Sequence, residues 1–159
     1  MRKSLFVTVA VLAVLAVVSC ARNSGRVFDA TLTGTNEVPS VPTPSEAAAT
    51  FTLNPDGTSM TFELMVTHAI DDANGAHIRL ARSGANGPVI VTLWAGQQGK
   101  GFTGWLTTGT ITDADLMGPM SHQTVAALAD SMVHGVTYVN IHTHEYPGGQ
   151  IRGQIYEKP

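Results

Sequence analysis

The chain has 159 residues, 43% of them hydrophobic and 13% charged, with 16 Gly, 8 Pro and a single Cys. These figures describe one turn-rich domain with enough apolar residues to build its own core, and they exclude a disordered, coiled-coil or collagen-like chain. With 9 Lys+Arg against 12 Asp+Glu and no basic cluster past the N-terminus, the chain lacks the phosphate-neutralising charge of a nucleic-acid binder, and one cysteine makes neither an internal disulfide nor a Cys-x-x-Cys site.

Arg2 and Lys3 open the chain, and Leu5 to Val18 is apolar apart from Thr8. The run is 14 residues long, short of the ~20 that span a bilayer, so residues 1–20 read as a secretory signal. Val17-Val18-Ser19-Cys20 resembles the bacterial lipobox, with Val17 where Leu is commoner. An ordinary signal with an incidental cysteine is the alternative. The place of Cys20 at the end of the apolar block favours lipidation, and an acyl chain anchors by burying its methylenes. The expected layout is a lipoprotein signal over 1–20, a tether over 21–26 and one domain over 27–159. After cleavage 7 Lys+Arg face 12 Asp+Glu, a net charge of −5.

Phe28, Ala30 and Leu32 alternate with Asp29, Thr31 and Thr33, the period of a half-buried strand. The segment 34–45 carries Pro39, Pro42 and Pro44 and reads as a loop. Thr50 to Leu53 and Thr58 to Val66 alternate on either side of Asn54-Pro55-Asp56-Gly57, which predicts a hairpin with Gly57 at positive φ. Further strands are expected at 76–80, 88–94 and 102–112, with Gly84-Ala85-Asn86-Gly87 as a turn. Val125, Leu128 and Met132 have helical spacing between Ser121 and Gly135, which predicts a helix over 122–133 capped by Ser121. Closing strands are expected at 138–143 and 150–156. The fold class is all-β: an immunoglobulin-like β-sandwich or small open barrel with one short helix.

The chemistry-bearing residues are the histidines. His77 and Arg79 share the face of their strand opposite Ala76 and Ile78, and Asn140, His142 and His144 share the face opposite Val139 and Ile141. A His-x-His pair on a strand can converge on one ion. With His77 from an adjacent strand, His142 and His144 form a candidate copper or zinc site. Solvated polar positions are the alternative, and Arg79 would repel a cation. His68, His122 and His134 have no convergent partner, and Glu145 is a turn residue that could serve as a base or fourth ligand. Trp94 and Trp105 are expected to pack in the core or mark a binding surface. No Gly-x-Ser-x-Gly elbow, phosphate loop or dinucleotide fingerprint occurs, so no catalytic residues are assigned.

Thr33-Gly34-Thr35-Asn36-Glu37-Val38-Pro39, Ala76-His77-Ile78, Gly84-Ala85-Asn86-Gly87-Pro88-Val89, Tyr138-Val139-Asn140-Ile141-His142-Thr143 and Pro147-Gly148-Gly149-Gln150-Ile151-Arg152-Gly153-Gln154-Ile155 together resemble the CHRD domain, over roughly residues 27 to 156. That module is named for chordin and occurs in many bacterial secreted proteins. The resemblance implies an all-β, immunoglobulin-like fold and, from chordin, an extracellular protein-binding context. The family often has His-x-His where this chain has His77-Ile78-Arg79, and commonly a residue other than histidine at His144. The His-x-His element is also similar to that of the β-sandwich copper–zinc superoxide dismutases.

Two functions follow. One is a lipid-anchored extracytoplasmic module, in the periplasm or at the cell surface, binding copper or zinc through His77, His142 and His144. The other is a metal-free module of the cell envelope with a protein partner or a structural role. Superoxide dismutation is the enzyme alternative.

Overall fold

The computed structural model describes residues 25–159, so the signal segment and Cys20 lie outside the described residues. Nine strands follow in chain order: β1 (Val27–Thr33), β2 (Glu46–Leu53), β3 (Ser59–Ile70), β4 (Ala73–Leu80), β5 (Val89–Trp94), β6 (Phe102–Thr112), β7 (Thr137–Thr143), β8 (Ile151–Gln154) and β9 (Tyr156–Glu157). One α-helix, α1 (Val125–Val133), lies between β6 and β7.

The strands form a single antiparallel sheet in the order β5-β4-β7-β8-β1-β2-β3-β6, with β9 added on β1. The sheet curls so that its two end strands, β5 and β6, approach each other without pairing. The expected all-β fold, a sandwich or small barrel with one short helix, is what forms: a nearly closed antiparallel sheet. Alternation explains why it curls inward. Phe28, Leu32, Phe51, Met60, Leu64, Ile78, Val139 and Ile141 all point to one interior and are fully or almost fully buried, while their neighbours face out. At roughly 25 cal/mol per Å² of apolar surface removed from water, this shared interior is the main favourable term.

The β2–β3 turn forms as expected: Gly57 sits at φ 72°, and Thr58 N–H donates to Asp56 Oδ1 at 2.9 Å. The helix start differs from expectation. Ser121 follows a 3-10 turn over Gly118–Met120, and His122 is at φ 66°, so the chain cannot enter a right-handed helix there. The helix begins at Val125, where Thr124 Oγ1 accepts from Ala127 N and Asp113 Oδ1 accepts from Val125 N at 2.7 Å. Its buried face carries Val125, Leu128, Ala129 and Met132, and Gly135 at φ 61° ends it as expected. The expected closing strand over 150–156 is split at Ile155, whose N–H donates to Thr137 O.

Candidate functional site

Strand β7 is buried on both faces along its whole length. Its inward face belongs to the core. Its outward face, carrying Tyr138, Asn140 and His142, is covered by the loops before β2, before β5 and after β7. Polar groups covered in this way must find partners within the protein, and the partners come from three distant stretches.

The strand adjacency that the histidine pattern requires is present. β4 pairs with β7, setting His77 opposite Asn140 and Gly75 opposite His142. The rings of His77 and His142 meet edge to face, 5.0 Å between centroids at 78°. Burial, with the positive charges of His142 and Arg79 beside it, pushes the His77 imidazole down to about 4, so it is neutral at pH 7. His77 Nδ1 is buried and has no hydrogen-bond partner among the described residues.

His142 is held by the protein on both sides. Its Nδ1 lies 2.8 Å from Pro147 O and its Nε2 3.1 Å from Asn140 Oδ1. Burial holds its pKa below the ordinary value, opposed by the Pro147 carbonyl and helped by Arg79. A neutral ring has one N–H, so it donates to one of these two oxygens at a time.

The other side of Asn140 faces Glu37, a residue to which sequence reasoning assigned no role. Glu37 is only 7% exposed, and its Oε1 lacks a hydrogen-bond partner. Burial raises its pKa, against the Arg152 and Arg79 charges and the Asn140 amide, which favour the carboxylate. Asn140 therefore stands between an acid and an imidazole. Asn140 Nδ2 donates to Gly148 O at 3.3 Å.

Arg152 closes the cluster. It is 1% exposed, with its guanidinium carbon 3.4 Å above the centre of the Tyr138 ring. It donates to Asn86 Oδ1 at 3.3 Å and to Arg82 O at 3.2 Å. Asn86 Nδ2 in turn donates to Val38 O at 2.7 Å, and Arg79 donates to Gly87 O at 3.0 Å. The expected turn over 84–87 is thus also the clasp that holds the Glu37 loop over β7.

His144 does not continue the alternation of β7. It lies past the strand end, exposed, where Gln97 Nε2 donates to its Nε2 at 3.2 Å and its backbone N–H is bonded to Asp72 O. Among the described residues no group of three or more His, Cys, Asp or Glu is placed to hold a metal ion. His68 pairs with Glu46 at 3.1 Å on the surface, and His134 caps α1 with its Nδ1 2.7 Å from Asp130 O. Burial, and then the neighbouring Glu145 carboxylate, raise the pKa of the Tyr146 hydroxyl. Trp94 packs against the core, whereas Trp105 is 59% exposed on β6.

Two features of the sequence carry a signal of this cluster. Gly75 sits inside a strand, which marks a close approach of other groups. Arg152 occupies a strand position between buried Ile151 and Gly153, where a charge needs a partner.

The family model of the CHRD domain matches residues 28–155. The chain matches no curated protein, and no solved structure matches it.

Proposed function

The chain belongs to the CHRD-domain family, and from that premise we propose that it is an extracytoplasmic protein-interaction module, tethered to the cell envelope by a lipid on Cys20 and working without metal. The observation that carries this reading is the closure of the polar cluster by the chain's own atoms. Both ring nitrogens of His142 lie against protein oxygens, and the buried charges of Glu37 and Arg152 sit in one another's field. Such a cluster fixes three loops over β7 and leaves the outer surface to meet a partner. Among the described residues no helix is long and apolar enough to cross a membrane.

The test is capture from envelope extracts with the lipidated protein as bait. A partner retained in the presence of EDTA supports the reading; release by the chelator, or no partner at all, overturns it. The anchor is tested separately: Cys20→Ala should move the protein from the membrane to the soluble fraction, and unchanged fractionation rules the lipid out.

A second reading has one observation in its favour. The unpartnered Nδ1 of His77, on a neutral ring 5.0 Å from His142, is a donor group suited to copper or zinc. Coordination by His142 requires breaking its contact with Asn140 or Pro147, and coordination by His144 requires its release from Gln97. Isothermal titration with copper and zinc decides this reading. It predicts a saturable heat that disappears in a His142→Ala/His144→Ala double variant, and a superoxide dismutation assay of any copper-loaded protein follows.

A further inference from the structure

The outward face of β1, β2, β3 and β6 carries a pattern that the buried cluster does not explain. Cross-strand register sets Thr52, Thr61 and Thr110 in one row and Thr50, Glu63 and Thr108 in the next. A third row sets Ala48, Met65 and Trp105 side by side. Strands lie about 4.8 Å apart and same-face rows about 7 Å apart, so the three rows form a small grid. The first two rows border a shallow depression of about 350 Å³. Trp105 stands one row away at 59% exposure.

The chemistry of the grid is distinctive. Among the described residues the hydroxyls of Thr52, Thr61, Thr108 and Thr110 have no protein hydrogen-bond partner; Thr50 donates to Asp29 Oδ1. Glu63 is the carboxylate that lines the depression, Asp29 with its Lys158 partner ends the second row on β1, and no Lys or Arg borders the depression itself. A protein-docking surface concentrates apolar and aromatic side chains at its centre, whereas here a single exposed indole borders a carpet of hydroxyls. A pyranose offers the matching surface: a C–H face that lies flat on an aromatic ring, and a rim of hydroxyls that both donate and accept. With Glu63 in the lining and no basic side chain there, the depression disfavours an anionic polymer.

We propose that this face binds a neutral glycan, with Trp105 stacking under one sugar ring and the Thr61, Thr108, Thr110 and Glu63 side chains hydrogen-bonding the next. The row spacing gives each of two linked sugars its own contact set. The proposal does not depend on the state of the histidine cluster or on the lipid.

The experiment is affinity electrophoresis of the full chain, in a non-ionic detergent, through gels containing neutral soluble polysaccharides: hydroxyethyl cellulose, xylan, galactomannan, pullulan and dextran. Pelleting with purified peptidoglycan sacculi runs alongside. Retardation or pelleting by at least one glycan is expected, weakened about tenfold or more in Trp105→Ala and severalfold in Thr61→Val/Thr110→Val. Both variants should melt with the wild type, since the changed side chains are solvent-facing, and His77→Gln should bind as the wild type does. Binding to none of these glycans overturns the proposal, as does equal binding by wild type and Trp105→Ala. A protein partner that is lost in Trp105→Ala while no glycan is retained overturns it too, and reassigns the face to protein docking.

Discussion

His77 and His142 meet edge to face because the residue directly across the ladder from His142 is Gly75, which has no side chain to keep the rings apart. A Cβ at position 75 would come within 3.2 Å of His77 Cε1. The bare backbone lets the His77 ring lean along β4 toward its diagonal neighbour, and the loops covering His142 then shut part of that ring away from water. One missing side chain thus converts a surface histidine into a half-buried neutral one.

The consequence is a pH dependence of stability whose sign can be stated. In the folded chain His77 titrates at about 4 rather than near its ordinary 6.5. Between those values the unfolded chain takes up a proton that the folded chain refuses, so stability contributed by the neutral ring is lost as pH falls through this window. His142, also held low, acts in the same direction. Glu37 acts oppositely: its raised pKa favours the folded chain at low pH, and that contribution fades as pH rises above the ordinary carboxylate value. Urea midpoints measured from pH 7 down to pH 4 should fall in the wild type and fall less in His77→Gln. Parallel pH profiles for the two proteins would exclude His77 as the source.

The helix start supplies a second prediction. Thr124 Oγ1 accepts from the N–H of Ala127, while Ser121 belongs to the preceding turn. Thr124→Ala should cost about 1 kcal/mol, the usual effect of removing an N-cap, and Ser121→Ala only a few tenths. Chemical denaturation of the two variants distinguishes them, and a larger loss at Ser121 would place the cap where the sequence pattern alone suggests it.

The strands were legible because a sheet with one buried face writes its period into the chain: Phe28-Ala30-Leu32 and Met60-Phe62-Leu64-Val66 need no tertiary knowledge to be read. The pairing of His77 with His142 was half legible, since alternation fixed their faces but only the β4–β7 adjacency brings those faces together. Glu37 was not legible, because it lies in a proline-rich segment without a period, and its burial is imposed by the Asn86 clasp and by Arg152 from far along the chain. The helix starts later than the sequence pattern predicts for a local reason: Ser121 has the chemistry of a cap, but the left-handed His122 after it redirects the backbone. Trp105 faces out because a β-bulge sets Leu106 inward as the extra residue between its pairing with Met65 and that of Thr107 with Leu64.

Arg152 should be irreplaceable by lysine. Its planar guanidinium stacks on Tyr138 while reaching two acceptors in separate parts of the 81–88 loop, and an ammonium cannot do all three. Arg152→Lys should destabilise by about 2–3 kcal/mol, and Arg152→Met by at least as much, since it leaves Glu37 buried with a weaker counter-charge. Equilibrium urea denaturation at pH 7 checks both, and repeating the Arg152→Met measurement with Glu37→Gln added should recover part of the loss. Additive losses in that double variant would show that the two side chains do not act on each other.

Gly149 offers the sharpest test of how the cluster is packed. It sits at φ 130°, outside the range that L side chains adopt readily, and a Cβ there would strike the Glu37 carboxylate and come 2.6 Å from Asn140 Nδ2. Neither group can retreat easily, because Asn140 is tied to Gly148 O and to His142 while Glu37 is covered by its own loop. Backbone strain and the displaced polar pair act together, so Gly149→Ala should cost about 2–4 kcal/mol. Gly148, one residue earlier, has open space where its Cβ would lie, so Gly148→Ala should fall within about 0.5 kcal/mol of the wild type. Thermal and urea denaturation of the two neighbouring variants gives the comparison. Equal effects would mean that the loop after β7 does not press on Glu37 and Asn140, and that the polar cluster is looser than its geometry indicates.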